Sequence, residues 1–383
     1  MPWKETCPME ERLKFVVEVE RGDYSIAKLC EIYRISRKTG YKWLNRWRAE
    51  GFAGLVERSR EPHNHPNQIP EEIENSIVAL RYRHPFWGPK KLLARLQRSE
   101  PEKHWPVQST VGEVLKRHGL SCKRKRSRRT PPYTQPFEHI NEPNDVWSAD
   151  FKGWFRTGNG NRVDPLTILD SASRYLLRCQ AMVKPTMVKV RCIFEEAFRE
   201  YGLPGAIRTD NGMPFASRAL GGLSRLSVWW TLLGIIPERI APGHPEQNGR
   251  HERMHRSLKQ AVAKPPAPNP RKQQQAIDRF VQEYNHLRPH EALGQETPAQ
   301  YYRPSNRTFP KRIHEPEYSR EHIVRRVRTN GEIKWKSKKI FLSEVLIGLP
   351  VGLVEDDNDL WRIDFGPLSI GMLNERFWKI SPI

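Results

Sequence analysis

Val146-Trp147-Ser148-Ala149-Asp150-Phe151 puts a carboxylate into a run otherwise built like a β-strand, and the segments around it decide the fold. The strand signal runs from Val146 to Phe155. Arg162 to Leu169 and Tyr175 to Val183 read as two more strands, joined by the turn formers Asp170-Ser171-Ala172-Ser173. Val190, Ile193, Phe194 and Phe198 recur at helical spacing, which predicts an amphipathic helix over 188–201. Ala206-Ile207-Arg208-Thr209 is a short strand that stops at Asp210-Asn211-Gly212. A helix over about 223–233, a brief strand near 237–240 and a long helix after Asn248-Gly249 follow. Three strands followed by alternating helices and strands predict an α/β layer fold with a mixed sheet.

The flanks differ in kind. Residues 1–60 read as three short helices: Leu13, Val16 and Val17 mark the first, and Ile26, Leu29, Cys30 and Tyr33 the second. Ser36 is placed to cap a third that carries Tyr41, Trp43, Leu44 and Trp47 beside Arg37, Lys38, Lys42, Arg46 and Arg48. A basic last helix suits a helix-turn-helix entering the major groove, with Arg37, Lys38 and Lys42 as candidate contacts. A small helical bundle with no nucleic-acid role has the same pattern. A Pro- and His-rich stretch, 61–70, contains His63-Asn64-His65; between Pro62 and Pro66 it reads as a linker and not a metal site. The region 61–122 gives stripes of Ile73, Ile77 and Leu80, of Leu92, Leu93 and Leu96, and of Val111, Val114 and Leu115 after a Ser109 cap, a second helix-turn-helix-like domain. A basic linker, 123–142, opens with Lys123, Arg124, Lys125, Arg126, Arg128 and Arg129, cations that phosphates would neutralise with counterion release. Beyond 320, to 383, short strands are expected: Ile323 to Val327 pairing across Asn330-Gly331 with a strand of Ile333 and Trp335, and further strands near 349–354 and 361–365. Lys334, Lys336 and Lys338 give that hairpin a basic face, and the whole suggests a small, barrel-like DNA-binding module.

Composition bounds the partners. Lys and Arg number 65 against 44 Asp and Glu, a formal net charge of +21, so a polyanion is the first expectation. No stretch approaches the roughly 20 apolar residues of a membrane span, and no signal peptide is expected in the charged first 20 residues. Five scattered cysteines without a C-x-x-C pair argue against a disulfide framework or a structural zinc site, and favour a reducing compartment.

Metal-assisted phosphoryl transfer needs carboxylates converging on divalent cations, held on rigid backbone at strand ends or on a facing helix. Asp150 and Asp210 both fall at strand positions of one inferred sheet. For a third there are two candidates: Glu246, in the loop Pro245-Glu246-Gln247-Asn248-Gly249, and Glu252, in the first turns of the helix. On a helical projection Met254, Leu258, Ala261 and Val262 gather on the core side. Glu252 falls outside that arc, beside Lys259 and flanked by His255 and Arg256. Such a face is either an ordinary salt-bridge surface or a metal ligand among phosphate contacts, and periodicity leaves both open.

The segments Trp147-Ser148-Ala149-Asp150-Phe151, Thr209-Asp210-Asn211-Gly212 and Pro245-x-x-Asn248-Gly249-x-x-Glu252 resemble the three signatures of bacterial insertion-sequence transposases of the DDE type, relatives of the retroviral integrases. Arg250-His251-Glu252-Arg253-Met254-His255 extends the resemblance, as does Tyr284-Asn285-x-x-Arg288-Pro289-His290-x-x-Leu293 with Thr297-Pro298 after it. The resemblance covers roughly 10–300. It implies an RNase H-like catalytic core over 143–304 and a catalytic, metal-binding triad of Asp150, Asp210 and Glu252 holding two Mg²⁺ ions, with Mn²⁺ as a substitute. It also implies that Lys259, seven residues after Glu252, contacts DNA, and Arg256 on the same face is a further candidate. Two departures stand out. The 42 residues from Asp210 to Glu252 exceed the usual spacing, with the extra length placed in 217–230; Glu246 would fit the usual spacing better, but the Asn-Gly-x-x-Glu context favours Glu252. A zinc-binding His-His-Cys-Cys domain is missing, and helix-turn-helix modules stand in its place. The implied function is a transposase or integrase that binds the element's terminal repeats, cleaves 3′ ends and joins them to target DNA. It would work as a homo-oligomer on double-stranded DNA, away from membranes, in the bacterial cytoplasm at the nucleoid. A DNA-binding regulator derived from a transposase, and a nuclease without strand transfer, are the alternatives.

Overall fold

The computed structural model describes residues 7–60, 68–121, 140–217, 219–241, 245–357 and 359–382. The His63-Asn64-His65 stretch and the basic residues Lys123 to Arg129 lie outside them. The chain divides into two compact units, 1–69 and 70–383.

The first unit is three helices, α1 (Pro8–Arg21), α2 (Ile26–Ile32) and α3 (Arg37–Glu50), closed by a 3₁₀ turn at Gly51–Leu55. Ser25 and Ser36 cap α2 and α3 by accepting from the backbone N–H of Lys28 and Thr39. Phe15, Val16, Leu29, Cys30, Trp43, Leu44 and Leu55 form its core. Val17, expected on the apolar stripe, is at the surface, and Phe15 takes the inward position. Gly40 lets α3 close onto its neighbours, since a Cβ there would lie 2.6 Å from Cys30 Sγ.

The second unit begins with α4 (Glu71–Arg83), α5 (Pro89–Ser99) and α6 (Gln108–Arg117). Their buried residues are Ile73 and Ile77, Leu92 and Leu96, and Val111, Val114 and Leu115. Ser109 is not a cap: it lies inside α6, whose N-cap is Val107.

The central layer is a mixed sheet of β1 (Val146–Phe151), β2 (Phe155–Arg156), β3 (Arg162–Asp170), β4 (Leu176–Met182), β5 (Ala206–Thr209) and β6 (Ile236–Arg239). β3 runs antiparallel to both β1 and β4, and β2 pairs with the start of β3. On the other side β5 is parallel to β1, and β6 is parallel to β5. Alternation along β1 sends Trp147 and Ala149 to one face and Ser148 and Asp150 to the other. The first face is covered by α7 (Met187–Tyr201) and α8 (Arg225–Leu232) around Phe194, Phe198, Trp229 and Trp230. The second is covered by α9 (Gly249–Val262) and α10 (Pro270–Gln282), through Met254, Leu258, Val262, Ile277 and Phe280 packed on Leu169, Leu176 and Cys179. A 3₁₀ turn at Glu291–Leu293 and a short helix, α11 (Pro298–Tyr301), end this layer. Three antiparallel strands followed by two parallel ones, with helices on both faces, make an RNase H-like core.

The C-terminal part is β7 (Ile323–Arg326), β8 (Glu332–Trp335), β9 (Lys338–Phe341), β10 (Pro350–Asp357), β11 (Leu360–Phe365), β12 (Leu368–Asn374) and β13 (Lys379–Ser381). The expected pairing across Asn330-Gly331 does not occur. β7 pairs with β10 as the edge of a five-stranded antiparallel sheet, and β8 pairs instead with β9. That hairpin turns through Lys336, whose φ is 48°. Its alternation holds: Ile333 and Trp335 are buried, and Lys334, Lys336 and Lys338 are exposed. Leu223 and Val228, from the central layer, are part of this module's core.

Leu166 is fully buried under α7 and α8. Leu166→Ala should lower the unfolding free energy by about 2–5 kcal/mol in urea denaturation. A loss below about 1 kcal/mol would contradict the described packing.

Candidate functional site

The register of β1 against β5 builds the site. Ala149 lies opposite Thr209, so the next residues, Asp150 and Asp210, stand side by side where two neighbouring parallel strands end. Adjacent strands are about 5 Å apart, which makes this one carboxylate cluster and not two separate strand ends. Asp210 Oδ1 accepts the Gly212 N–H at 3.1 Å, and a Cβ on Gly212 would press on the carboxylate at 3.1–3.3 Å. Glu252 comes from the covering helix: α9 packs on the face toward which Asp150 points, and Glu252 is exposed at its first turn.

Asp150 carries the electrostatic record of this arrangement. Its side chain is 19% exposed, and its carboxyl is pushed up to about 7. Burial is the main cause, followed by the Asp210 charge; the Phe151 backbone N–H opposes these, and Glu252 adds to them. Asn248 Nδ2 donates to Asp150 Oδ2 at 3.2 Å, and His255 Nδ1 stands 3.8 Å from the same oxygen. Among the described residues no three His, Cys, Asp or Glu side chains converge closely enough to form a ready-made metal cage. The donor set nevertheless fits a hard divalent cation. Carboxylate oxygens are what Mg²⁺ takes, it commonly retains several waters, and a cation would relieve the repulsion recorded at Asp150.

Beneath Asp150 lies a buried polar layer that sequence reading missed. Thr167 Oγ1 donates to the Asp150 carbonyl at 2.9 Å and contacts His251 Nε2 at 2.6 Å and His255 Nε2 at 2.8 Å. Its one hydroxyl hydrogen is thereby used, so both rings donate to it. Ser148 Oγ reaches His251 Nδ1 at 2.8 Å. Burial holds His251 down to about 3; burial, with His251 and Lys152 nearby, holds His255 down to about 2, so both are neutral. His255 therefore does not join a basic surface around Glu252: it is turned into the fold, while Arg256 and Lys259 remain exposed. Ala261, expected on the core side, is exposed as well. The signal for the two histidines was their i,i+4 spacing on the arc of Met254 and Leu258.

Lys152 was also missed, although pleating puts it on the face of Asp150. Burial and then the Lys259 charge lower its pKa, with Asp150 and Asp164 opposing, so Lys152 and Lys259 are cationic neighbours at the rim of the carboxylates. In the first unit Arg37, Lys38 and Lys42 are exposed along α3 with Tyr41 and Arg48, one basic helix face. No helix among the described residues is long and apolar enough to cross a membrane.

Two models of the integrase core domain match the chain, at residues 140–245 and 233–298. A helix-turn-helix domain matches 11–63, and a homeodomain-like domain 39–115. The chain is 27% identical over 273 residues to an uncharacterized 39.2 kDa protein of an insertion element from Xanthomonas euvesicatoria, covering 70% of this chain and 75% of that one. It is 26% identical over 238 residues to an uncharacterized 31.7 kDa insertion-element protein of Burkholderia multivorans, covering 62% and 82%. Against the Gag-Pol polyprotein of Gibbon ape leukemia virus identity is 26%, over 52% of this chain and 11% of that one. The integrase catalytic core domain of HTLV-2, solved in complex with magnesium, overlaps 42% of this chain and 98% of its own at 21% identity and a TM-score of 0.34, too low to bear on the fold. The domain matches and the insertion-element relatives bear out the resemblance to insertion-sequence transposases related to retroviral integrases.

An acid whose pKa is raised on folding takes up a proton as the chain folds, so its contribution is most favourable below about 4 and is lost as pH rises toward 7. In metal-free protein Asp150→Asn should therefore raise the melting temperature at about pH 8, by no more than about 4 kcal/mol of stability, and change it little near pH 4. Scanning fluorimetry in chelator checks this; equal shifts at both pH values would mean that Asp150 is not the repelled, buried carboxylate described.

Proposed function

We propose, from the integrase core domain that this chain carries at 140–298, that it is a DNA transposase or integrase whose Asp150, Asp210 and Glu252 serve phosphodiester chemistry. The observation that carries this is the adjoining of Asp150 and Asp210 at the ends of two parallel strands, under the helix that brings Glu252. These three side chains would hold two divalent ions, Mg²⁺ or in its place Mn²⁺. Bound there, such ions supply a lowered pKa for an attacking water and charge stabilisation for the leaving oxygen.

The chain's own residues do the rest. Asp150 is held by Asn248 at its carboxylate and by Thr167 at its carbonyl, so its direction is set before substrate arrives. Lys152 and Lys259, on the rim, offer positive charge to phosphates flanking the reacting one. The reaction has two steps: hydrolysis of a phosphodiester at the element end frees a 3′-OH, and that hydroxyl then attacks a phosphodiester of target DNA in line, forming a new P–O bond as the 3′-oxygen of the cut target strand leaves and takes up a proton. The α3 face with Arg37, Lys38 and Lys42, and the run of Lys123, Arg124, Lys125, Arg126, Arg128 and Arg129, would grip the terminal repeats, base contacts specifying and phosphate contacts positioning. The exposed lysines of β8 and β9 would add non-specific contact, and a homo-oligomer would pair two DNA ends. A cytoplasmic, nucleoid-associated site of action follows from the same reading.

Asp150→Asn should abolish both end cleavage and strand transfer while leaving terminal-repeat binding largely intact; continued joining of strands would refute the metal-site reading. Glu252→Gln should be inactive and Glu246→Gln nearly normal, with the reverse pattern moving the third carboxylate to Glu246. Removal of divalent ions by chelation should stop both steps, and added Mg²⁺ should restore them.

A further inference from the structure

The motif Tyr284-Asn285-x-x-Arg288-Pro289-His290 plays no part in the chemistry above, yet it walls a cavity of about 220 Å³ on the other flank of α9. At 100° per residue, Glu252 and Lys259 face one side of α9, and Arg250 and Arg253 face a side roughly 140° away. Arg174, Arg288 and Lys91 of α5 line the same cavity, so five cationic side chains surround one space far larger than the roughly 10–15 Å³ that a single water requires.

Lys91, Arg174, Arg253 and Arg288 are not neutralised from within. Among the described residues three carboxylates offset these four: Asp170, Glu283 and Glu291. Each is engaged elsewhere, Asp170 by the N–H groups of Asn144 and Ser173, Glu283 by His84 at 2.8 Å, and Glu291 by Lys90 at 2.8 Å. Glu291 reaches Arg253 only at 4.0 Å. Lys91 Nζ and Arg174 Nη1 donate to the carbonyls of Pro289 and Ser171, which bring no charge. Burial and the mutual repulsion of Arg288, Arg253 and Lys91 push Lys91 down to about 7. His290 Nε2, in the cavity wall, is buried with no hydrogen-bond partner. Burying several like charges together is unfavourable without an anion, and guanidinium groups recognise phosphate by paired, directed hydrogen bonds.

We infer that this cavity binds a phosphate group, and that in the working protein the group belongs to the backbone of DNA lying across α9. The DNA source rests on the function proposed above; the anion site itself does not. Because Lys91 comes from α5 and Arg250 and Arg253 from α9, one bound phosphate would tie the helical segment 70–121 to the helix that carries Glu252.

The test uses the full chain and two probes. In the first, fluorescence anisotropy follows binding of a duplex of arbitrary sequence over a range of salt concentrations. Arg288→Gln and Lys91→Gln should each weaken binding, and the slope of log K against log salt should become shallower by about 0.9, the counterion release of one phosphate. Arg253→Gln, at an exposed position, should do the same and keeps the test standing if Arg288→Gln does not fold. In the second, inorganic phosphate replaces chloride at constant ionic strength, and should raise the melting temperature of the wild type but not of the variants. Unchanged slopes with phosphate stabilisation retained would overturn the DNA source and leave a site for free phosphate. No effect in either arm would overturn the site. A wild-type chain that binds no duplex would refute the functional reading and with it the DNA source, while the phosphate arm still decides the cavity.

Discussion

Two aspartates sixty residues apart in the chain become neighbours through a single register, Ala149 opposite Thr209 in the parallel pairing of β1 and β5. A slip of one residue would turn Asp150 to the face filled by α7 and α8, where Phe194, Phe198 and Trp230 leave no room for a charge. What prevents the slip is the alternation of Trp147 and Ala149 with Ser148 and Asp150, since the first pair must be dry and the second must find polar partners. The carboxylate cluster is thus a by-product of correct hydrophobic burial on the opposite side of the sheet. It is also electrostatically unfavourable in isolation, as the raised pKa of Asp150 records. Sites that must bind cations are commonly built this way, with repulsion in the free protein relieved on loading.

The layer under Asp150 has a different logic. Ser148, Thr167, His251 and His255 are linked in one chain of contacts, in which the Thr167 hydroxyl gives its hydrogen to the Asp150 carbonyl and accepts from both rings. A buried polar network of this kind gains from low dielectric only when complete, and its members then hold one arrangement. Its position, between the strand that carries Asp150 and the helix that carries Glu252, makes it the spacer that sets how far apart those two elements lie.

The strands and helices of the central layer were legible because each has a period of its own, and because turn formers such as Asp210-Asn211-Gly212 mark where strands stop. Asp150 and Asp210 could be placed for the same reason. The direction of His255 could not, because its helix has charged residues on both sides of the apolar arc, and a histidine at the edge of that arc suits either environment until the strand beneath supplies a hydroxyl. Pairing partners were harder still. Asn330-Gly331 has the composition of a hairpin turn, but the strand before it is taken by β10, some 25 residues later, and local sequence does not encode competition between distant partners. The cationic cavity was invisible for a related reason: Lys91, Arg174, Arg250, Arg253 and Arg288 come from α5, the β3–β4 turn, α9 and the segment after α10, and only the tertiary fold collects them.

The joint core of the C-terminal strands with α8 bears on how such a protein can be rearranged. Leu223 and Val228 sit among Trp361, Ile363, Phe365 and Ile370, so one helix has apolar neighbours on two sides, the central sheet on one and the β module on the other. The terminal module is therefore not a bead on a string. Removing it would strip a greasy flank bare, and grafting a foreign module onto this core would demand a matching rewrite of residues 219–232. A chain that exchanged the tail alone would leave that flank unmatched, which ties the inheritance of the tail to that of the central layer.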